Sequence, residues 1–434
     1  MEGRIPPDED EDLFEWTEPP PRPPRDPATG ERPAVERQAE GQRPRRERPR
    51  YRPGTGEIER VGRRERHRDL PARVRRRQAL MIGGGAAVVI VALIVLISGG
   101  GSSKPPPVPL KRLVGQTIVA KLGAKGPDQA LIQSVRKGQV GGLIAFESDP
   151  AKLRSDVQQL QAAATAGHNP PLLVMIDQEG GPVKRLKAGP PDVSPADLGR
   201  SGDVGQARDE GQKTGAYLRG LGVNVDLAPV LDVSQPQTAS TIKGRTFGSD
   251  PAAVARVGVS FAQGLQTGGV VATAKHFPGL GRATVSTDER PTAIAATTQQ
   301  LQSDLIPFKA AVESGVKMVM VSTASYPTLG ASKPAAFSPA IVKDELRNRL
   351  GFGGVVITDD LEAPSVTGTL PPVVAAVSAL QAGDDLLLYA KSSAASRKVS
   401  AELAKEVKTG RLPRSVVQAA YDRVTSLKYG SPSG

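Results

Sequence analysis

Eight short apolar runs, each five or six residues long, recur along the second part of the chain, at 117–121, 142–146, 172–176, 223–228, 270–274, 317–322, 354–358 and 385–389. Segments with helical spacing of apolar positions lie between them, at 127–137, 151–166, 207–221, 251–267, 298–314, 339–350 and 370–382, and 397–428 supplies closing helices. Short continuous apolar strands alternating with amphipathic helices specify a parallel sheet covered on both faces. Eight such units predict an α/β fold in which the sheet closes on itself as a (β/α)8 TIM barrel spanning 110–430. An open doubly wound sheet is the competing arrangement, and the count of eight favours closure.

Upstream the pattern changes. Residues 79–97 (ALMIGGGAAVVIVALIVLI) carry no charge and have the length of a bilayer-spanning helix. They begin too far from the start of the chain, and run too long, to read as a cleaved signal peptide. Arg73, Arg75, Arg76 and Arg77 precede them, and a Gly/Ser/Pro linker at 98–109 follows. The positive-inside rule then predicts a single-pass cell-membrane protein with its N-terminus in the cytoplasm and its barrel outside the cytoplasm. Residues 1–78 hold 20 Arg, no Lys, many Pro and the sole tryptophan, Trp16, a composition too polar to offset the entropy of ordering, so a disordered cytoplasmic tail is expected.

The formal net charge is +12. It suggests nucleic acid at first, but the Arg clusters flank a membrane segment and alternate with acids, which suits anionic lipid headgroups better. No nucleic-acid partner is expected, and membrane lipid is, through 79–97. The chain has no cysteine, so it folds without disulfides.

In a barrel the chemistry sits at the carboxyl ends of the strands. The third run is followed by Asp177, Gln178 and Glu179, with Arg185 nearby. Asp232 and Arg245 follow the fourth, Lys275 and His276 the fifth, and Asp359 and Asp360 the seventh. Carboxylates facing each other across a pocket are the equipment of glycoside hydrolysis, one attacking the sugar carbon while the other protonates the leaving oxygen. Neighbouring cations and carboxylates would hold the sugar hydroxyls. Each residue also has a plainer role open to it. Asp359 could cap a helix, His276 could be a satisfied core histidine, Arg185 and Arg245 could form structural ion pairs, and Asp288 could be a solvated loop acid.

At these same residues the blocks DQEGG with VKRL, NVDLAPVLDV, GRTFGSDP, KHFPGLG and GFGGVVITDDL resemble, in order, the signature blocks of glycoside hydrolase family 3. The likeness is to its single-domain β-N-acetylhexosaminidases of the peptidoglycan-recycling type and covers about 110–430. It implies a retaining hydrolase with Asp359 as the nucleophile, and Asp177, Arg185, Arg245, Lys275 and His276 as the residues that bind the terminal sugar. A glycan or muropeptide is the implied substrate, and neither a metal nor an organic cofactor is implied.

The chain departs from that pattern in one loop. Where the family branch carries Asp-Ser-His, with His as general acid/base, this sequence has Ser286-Thr287-Asp288. Of three histidines, His67 is in the tail, His168 in a helix-to-strand connection, and His276 is already assigned. Three readings follow. Asp288 or Glu289 replaces the histidine, another chain supplies the acid, or the domain binds wall glycan without hydrolysing it.

Overall fold

A computed structural model describes residues 107–146, 149–239 and 241–430. The expected tail and membrane segment lie outside these residues. Among the described residues no helix is long and apolar enough to cross a membrane.

All eight expected strands form: β1 (Ile118–Leu122), β2 (Gly142–Ala145), β3 (Leu173–Ile176), β4 (Val225–Asp226), β5 (Val271–Phe277), β6 (Met318–Val321), β7 (Val355–Thr358) and β8 (Leu387–Leu388). They pair in parallel in chain order, and β8 pairs in turn with β1 through Ile118–Leu387 and Val119–Leu388. Between β7 and β8 a parallel bridge joins Ile357 and Leu386, and the Val356 N–H and Leu388 N–H are taken up by the Asp385 carboxylate and the Thr358 hydroxyl. The sheet is a barrel whose last seam is sealed partly by side chains.

Alternation along each strand sorts the residues into lumen and outer layer. Val119, Ile144, Met175, Val225, Met320 and Ile357 share the lumen cluster, whereas Ala272, Ala274 and Val356 pack with the surrounding helices. Continuing the same alternation carries Asp177, Lys275 and Asp359 to the lumen side at the carboxyl ends of β3, β5 and β7.

Helices α1 (Leu110–Gly115), α2 (Gln129–Arg136), α3 (Pro150–Ala166), α4 (Pro195–Ser201), α5 (Val204–Gly220) and α6 (Pro251–Thr267) cover the first half. Their starts are chemically marked. Asp149 and Asp250, each followed by Pro, accept hydrogen bonds from Ala151 and Ala252 N–H and so cap α3 and α6. Helices α5 and α6 cross closely enough that a Cβ on Gly211 would stand 2.2 Å from the Phe261 carbonyl oxygen, which explains the glycines there.

Two helical expectations are refined. The segment 298–314 is two helices, α7 (Thr298–Asp304) and α8 (Ile306–Glu313), because Pro307 has no N–H to continue the ladder. The segment 339–350 forms a π-helix at Ala340–Arg349. Then α9 (Pro364–Thr367), α10 (Pro372–Ala382), α11 (Ser393–Lys408) and α12 (Arg414–Tyr429) complete the outer layer.

Candidate active site

The mouth of the barrel is built on a buried charge network between β3 and β5. Lys275, expected in the loop after the fifth strand, lies inside β5, which extends three residues further than its apolar run. Its Nζ sits 2.8 Å from Asp177 Oδ1 and 2.6 Å from Glu179 Oε1, with the lysine side chain only 2% exposed. Arg245 clasps Glu179 with two bonds, Nε to Oε2 at 2.8 Å and Nη2 to Oε1 at 2.7 Å. Arg185 reaches Asp177 Oδ2 at 3.4 Å.

Burial opposes charge on every one of these groups, but the partners outweigh it. The Lys275, Arg185 and Arg245 charges bring Asp177 down to about 2, Lys275 and Arg245 lower Glu179, and Asp177 and Glu179 raise Lys275. The clamp is therefore fully ionised at neutral pH. Arg185 Nε is buried with no partner among the described residues, which leaves a donor for a ligand.

Glu179 reaches the network because Gln178–Gly180 folds back on Val183–Lys184 as a short hairpin, with Gly180 at φ 91° and Gly181 at φ 59°. Those angles suit glycine and few other residues. Phe146, just after β2, faces two cations, with the Arg185 guanidinium carbon 4.9 Å and Lys121 Nζ 5.5 Å from its ring centroid.

His276, joined to Lys275 by a cis peptide, is buried, and its Nδ1 lies 2.7 Å from Asp232 Oδ2. Asp232 also accepts from His276 N–H and Leu280 N–H at 3.2 and 2.6 Å, so one buried carboxylate fixes both the ring and the turn after it. With Nδ1–H donating to the Asp232 carboxylate, Nε2 is the nitrogen left for a ligand. An edge-to-face contact of Phe277 on Phe308, centroids 5.4 Å apart, pins the end of β5 to α8.

The other half of the mouth is held more lightly. Asp359 follows β7, and its Oδ1 accepts only the Asp360 N–H, at 2.8 Å; it forms no ion pair among the described residues and caps no helix. Asp360 differs. Its Oδ1 accepts from Glu362 and Ala390 N–H, tying the exits of β7 and β8, and burial raises its carboxyl to about 6.

Asp288 stands exposed in the loop after β5, its N–H on the Ser286 hydroxyl at 3.1 Å and its Oδ2 3.4 Å from the same hydroxyl. Although the residue as a whole is exposed, partial desolvation of its carboxyl raises its pKa, the negative charge of Asp359 raises it further, and His276, Arg245 and Lys391 pull the other way. Asp288 thus feels the charge of Asp359.

The model of the glycosyl hydrolase family 3 N-terminal domain matches residues 112–427. The chain belongs to glycosyl hydrolase family 3. An uncharacterized secreted glycosyl hydrolase of Arthroderma benhamiae is 33% identical over 72% of this chain and 92% of its own length. Beta-hexosaminidase LpqI of Mycobacterium tuberculosis is 34% identical over 74% of this chain and 82% of its own. Among solved structures, a family 3 beta-N-acetylglucosaminidase from Paenibacillus superposes with a TM-score of 0.72 at 30% identity, covering 76% of this chain and 64% of that one. The beta-N-acetylhexosaminidase of Beutenbergia cavernae gives 0.69 at 32% identity, covering 75% and 100%. The chain is a hydrolase of the β-N-acetylhexosaminidase-like kind within family 3.

In this family 3 barrel, Asp177, Arg185, Arg245 and Lys275 meet in one network, His276 adjoins it through β5, and Asp288 lies within the field of the Asp359 charge. Sequence reasoning gave no role to Phe146 or to Asp226, and did not foresee that Glu179 joins both cations. Asp226 is fully buried on β4, accepts the Gln178 N–H at 3.0 Å and leaves Oδ2 without a partner. Burial pushes its carboxyl up to about 8. A charged residue inside an apolar strand was the available signal. Among the described residues no group of three His, Asp, Glu or Cys is placed to hold a metal.

Proposed function

We propose that the protein is a retaining exo-β-glycosidase that removes a terminal β-linked sugar, N-acetylglucosamine from cell-wall glycans, with Asp359 as nucleophile and Asp288 as acid/base. One observation supports the reading: Asp359 is half-buried with one backbone N–H and no ion pair among the described residues, and the Asp288 carboxyl is pushed toward its protonated form by the protein around it and then by the Asp359 charge. The names of the relatives supply the sugar.

In the first step Asp359 attacks the anomeric carbon as Asp288 gives its proton to the departing oxygen, leaving a glycosyl-enzyme ester. In the second, Asp288 takes a proton from water, which attacks the same carbon and frees Asp359. Asp177 accepts hydrogen bonds only, Arg185, Arg245 and Lys275 donate only, His276 offers Nε2, and together they fix the ring hydroxyls before reaction, with Glu179 holding the two inner cations in place. Residues 79–97 would anchor the chain in the cell membrane with the barrel on the outer side, where wall fragments are met.

The test is turnover by the purified full chain of an aryl β-N-acetylglucosaminide beside the matching β-glucoside. The expected result is hydrolysis of the former with retained anomeric configuration, and a loss of about 10,000-fold or more in Asp359→Ala. Turnover of neither substrate above that variant would overturn the proposal. The replacement of the family histidine by Asp288 supports a second reading, a wall-glycan binding module, which predicts glycan binding without turnover and unaffected by Asp288→Ala.

A further inference from the structure

Beside the loop that carries Asp288 lies a cavity of about 310 Å³, walled by residues 291–293, the hairpin of Ser325–Tyr326 with Ala331–Pro334, and α9 with the turn after it. None of the clamp residues, nor Asp359, lines it. Its size is at the lower end of small-molecule sites, enough for about one sugar ring. Six of its lining residues bear hydroxyls: Thr292, Thr323, Ser325, Ser332, Ser365 and Thr369.

The protons of four of these are already committed. Thr292, Ser325 and Thr369 donate to backbone carbonyls and Ser365 donates to Thr323 Oγ1, so these oxygens offer lone pairs to an incoming hydroxyl, whereas Thr323 keeps a proton to give. Pro291, Pro334 and Leu370 add an apolar side. Lys333 is the one charged residue of the lining and makes no ion pair among the described residues. Acceptors for hydroxyls, an apolar wall and a single cation match a hydroxylated ring bearing one carboxylate.

The cavity is also wired to the loop. Ser365 N–H donates to the Thr287 carbonyl at 3.2 Å on one side of Asp288, and on the other Ser325 N–H donates to the Thr292 carbonyl and Ile294 N–H to the Ser325 carbonyl, both at 2.9 Å. Asp288 is bracketed by two cavity walls. We infer that the cavity binds a uronic-acid-like group, a hydroxylated ring with one carboxylate held by Lys333, and that its occupancy sets the position of Asp288. The inference rests on the glycosidase reading only for the role of Asp288, not for the binding itself.

The test is titration of the full-length Asp359→Asn chain with D-glucuronate and D-glucose, followed by calorimetry and by the amide resonances of Thr287 and Asp288. Glucuronate is expected to bind saturably and more tightly than glucose, to shift both amides, to weaken about threefold to tenfold in Lys333→Met, and to be blocked by Ser332→Tyr, which adds bulk at an exposed position. Arg185→Gln should leave it unchanged. Absence of saturable binding, equal binding of glucose, dependence on Arg185 rather than Ser332, or unshifted loop amides would each overturn the proposal. Because this variant is read without turnover, a failed activity assay leaves the result standing, and the reverse holds.

The source of the group is separated by kinetics on the unmodified enzyme. If the group is the substrate's own leaving sugar, a β-N-acetylglucosaminyl disaccharide ending in glucuronate has a lower KM than one ending in glucose, and Lys333→Met erases the difference. If it is a free effector, glucuronate alters kcat on an aryl glycoside and the two disaccharides behave alike.

Discussion

The two halves of the barrel mouth are built on opposite principles. The β3–β5 half is buried and ionised, with every carboxylate oxygen of Glu179 engaged by Arg245 or Lys275. The β7 half, with the loop that faces it, offers an Asp359 held by one backbone N–H and an Asp288 held by one serine hydroxyl. On the proposed mechanism the first half positions the sugar and the second reacts. Groups locked into ion pairs are poor nucleophiles and poor proton carriers, so the separation is what a two-carboxylate mechanism needs.

Three substitutions sharpen the contrast. The largest structural effect is expected from Lys275→Met, which leaves Asp177 and Glu179 buried with a cation removed and should cost about 3–5 kcal/mol in denaturant unfolding. A loss below about 1 kcal/mol would mean that the network is hydrated rather than buried. Asp288→Asn should do the reverse, leaving unfolding within about 0.5 kcal/mol of the parent while lowering kcat on substrates with poor leaving groups about 100-fold or more. Equal losses on activated aryl glycosides would remove Asp288 from the acid role. Because its pKa is raised, the alkaline limb of the parent's rate profile should lie above the ordinary carboxylate range and be absent from the variant.

A third effect is a pH dependence at Asp226. The folded protein holds this proton up to about 8, the unfolded chain only to about 4, so the parent's stability falls as pH rises between those values. Asp226→Asn cannot titrate. Its Tm relative to the parent should rise across that window, and a flat difference would show that Asp226 is ionised in the fold.

The barrel was legible because its strands are apolar on both faces and its helices amphipathic, and the eight runs appear where their composition places them. The ends of the elements were less so. Lys275 read as a loop residue because a charge ends an apolar run, yet alternation from Val271 through Thr273 keeps it in the strand and points it into the lumen. The partnership of Glu179 was hidden for a different reason: it depends on the Gly180–Gly181 turn folding a short hairpin back, and no periodicity marks that. Asp288 was legible by its spacing from the KHFPGLG block, whereas its electrostatic coupling to Asp359 joins two loops that only the closed barrel brings together.

That closure has a consequence in time. Residue 118 pairs with residue 387, so the first strand has no second neighbour until nearly the whole chain has been made. Contacts this distant in sequence form late and leave earlier strands with open edges while they wait. During synthesis the clamp strands, β3 to β5, can assemble with one another well before β8 exists, but β7 gains its second flank only when β8 docks. The half of the mouth proposed to bind would thus be shaped before the half proposed to react, and a chain cut short of β8 would leave Asp359 on the edge of an unfinished sheet.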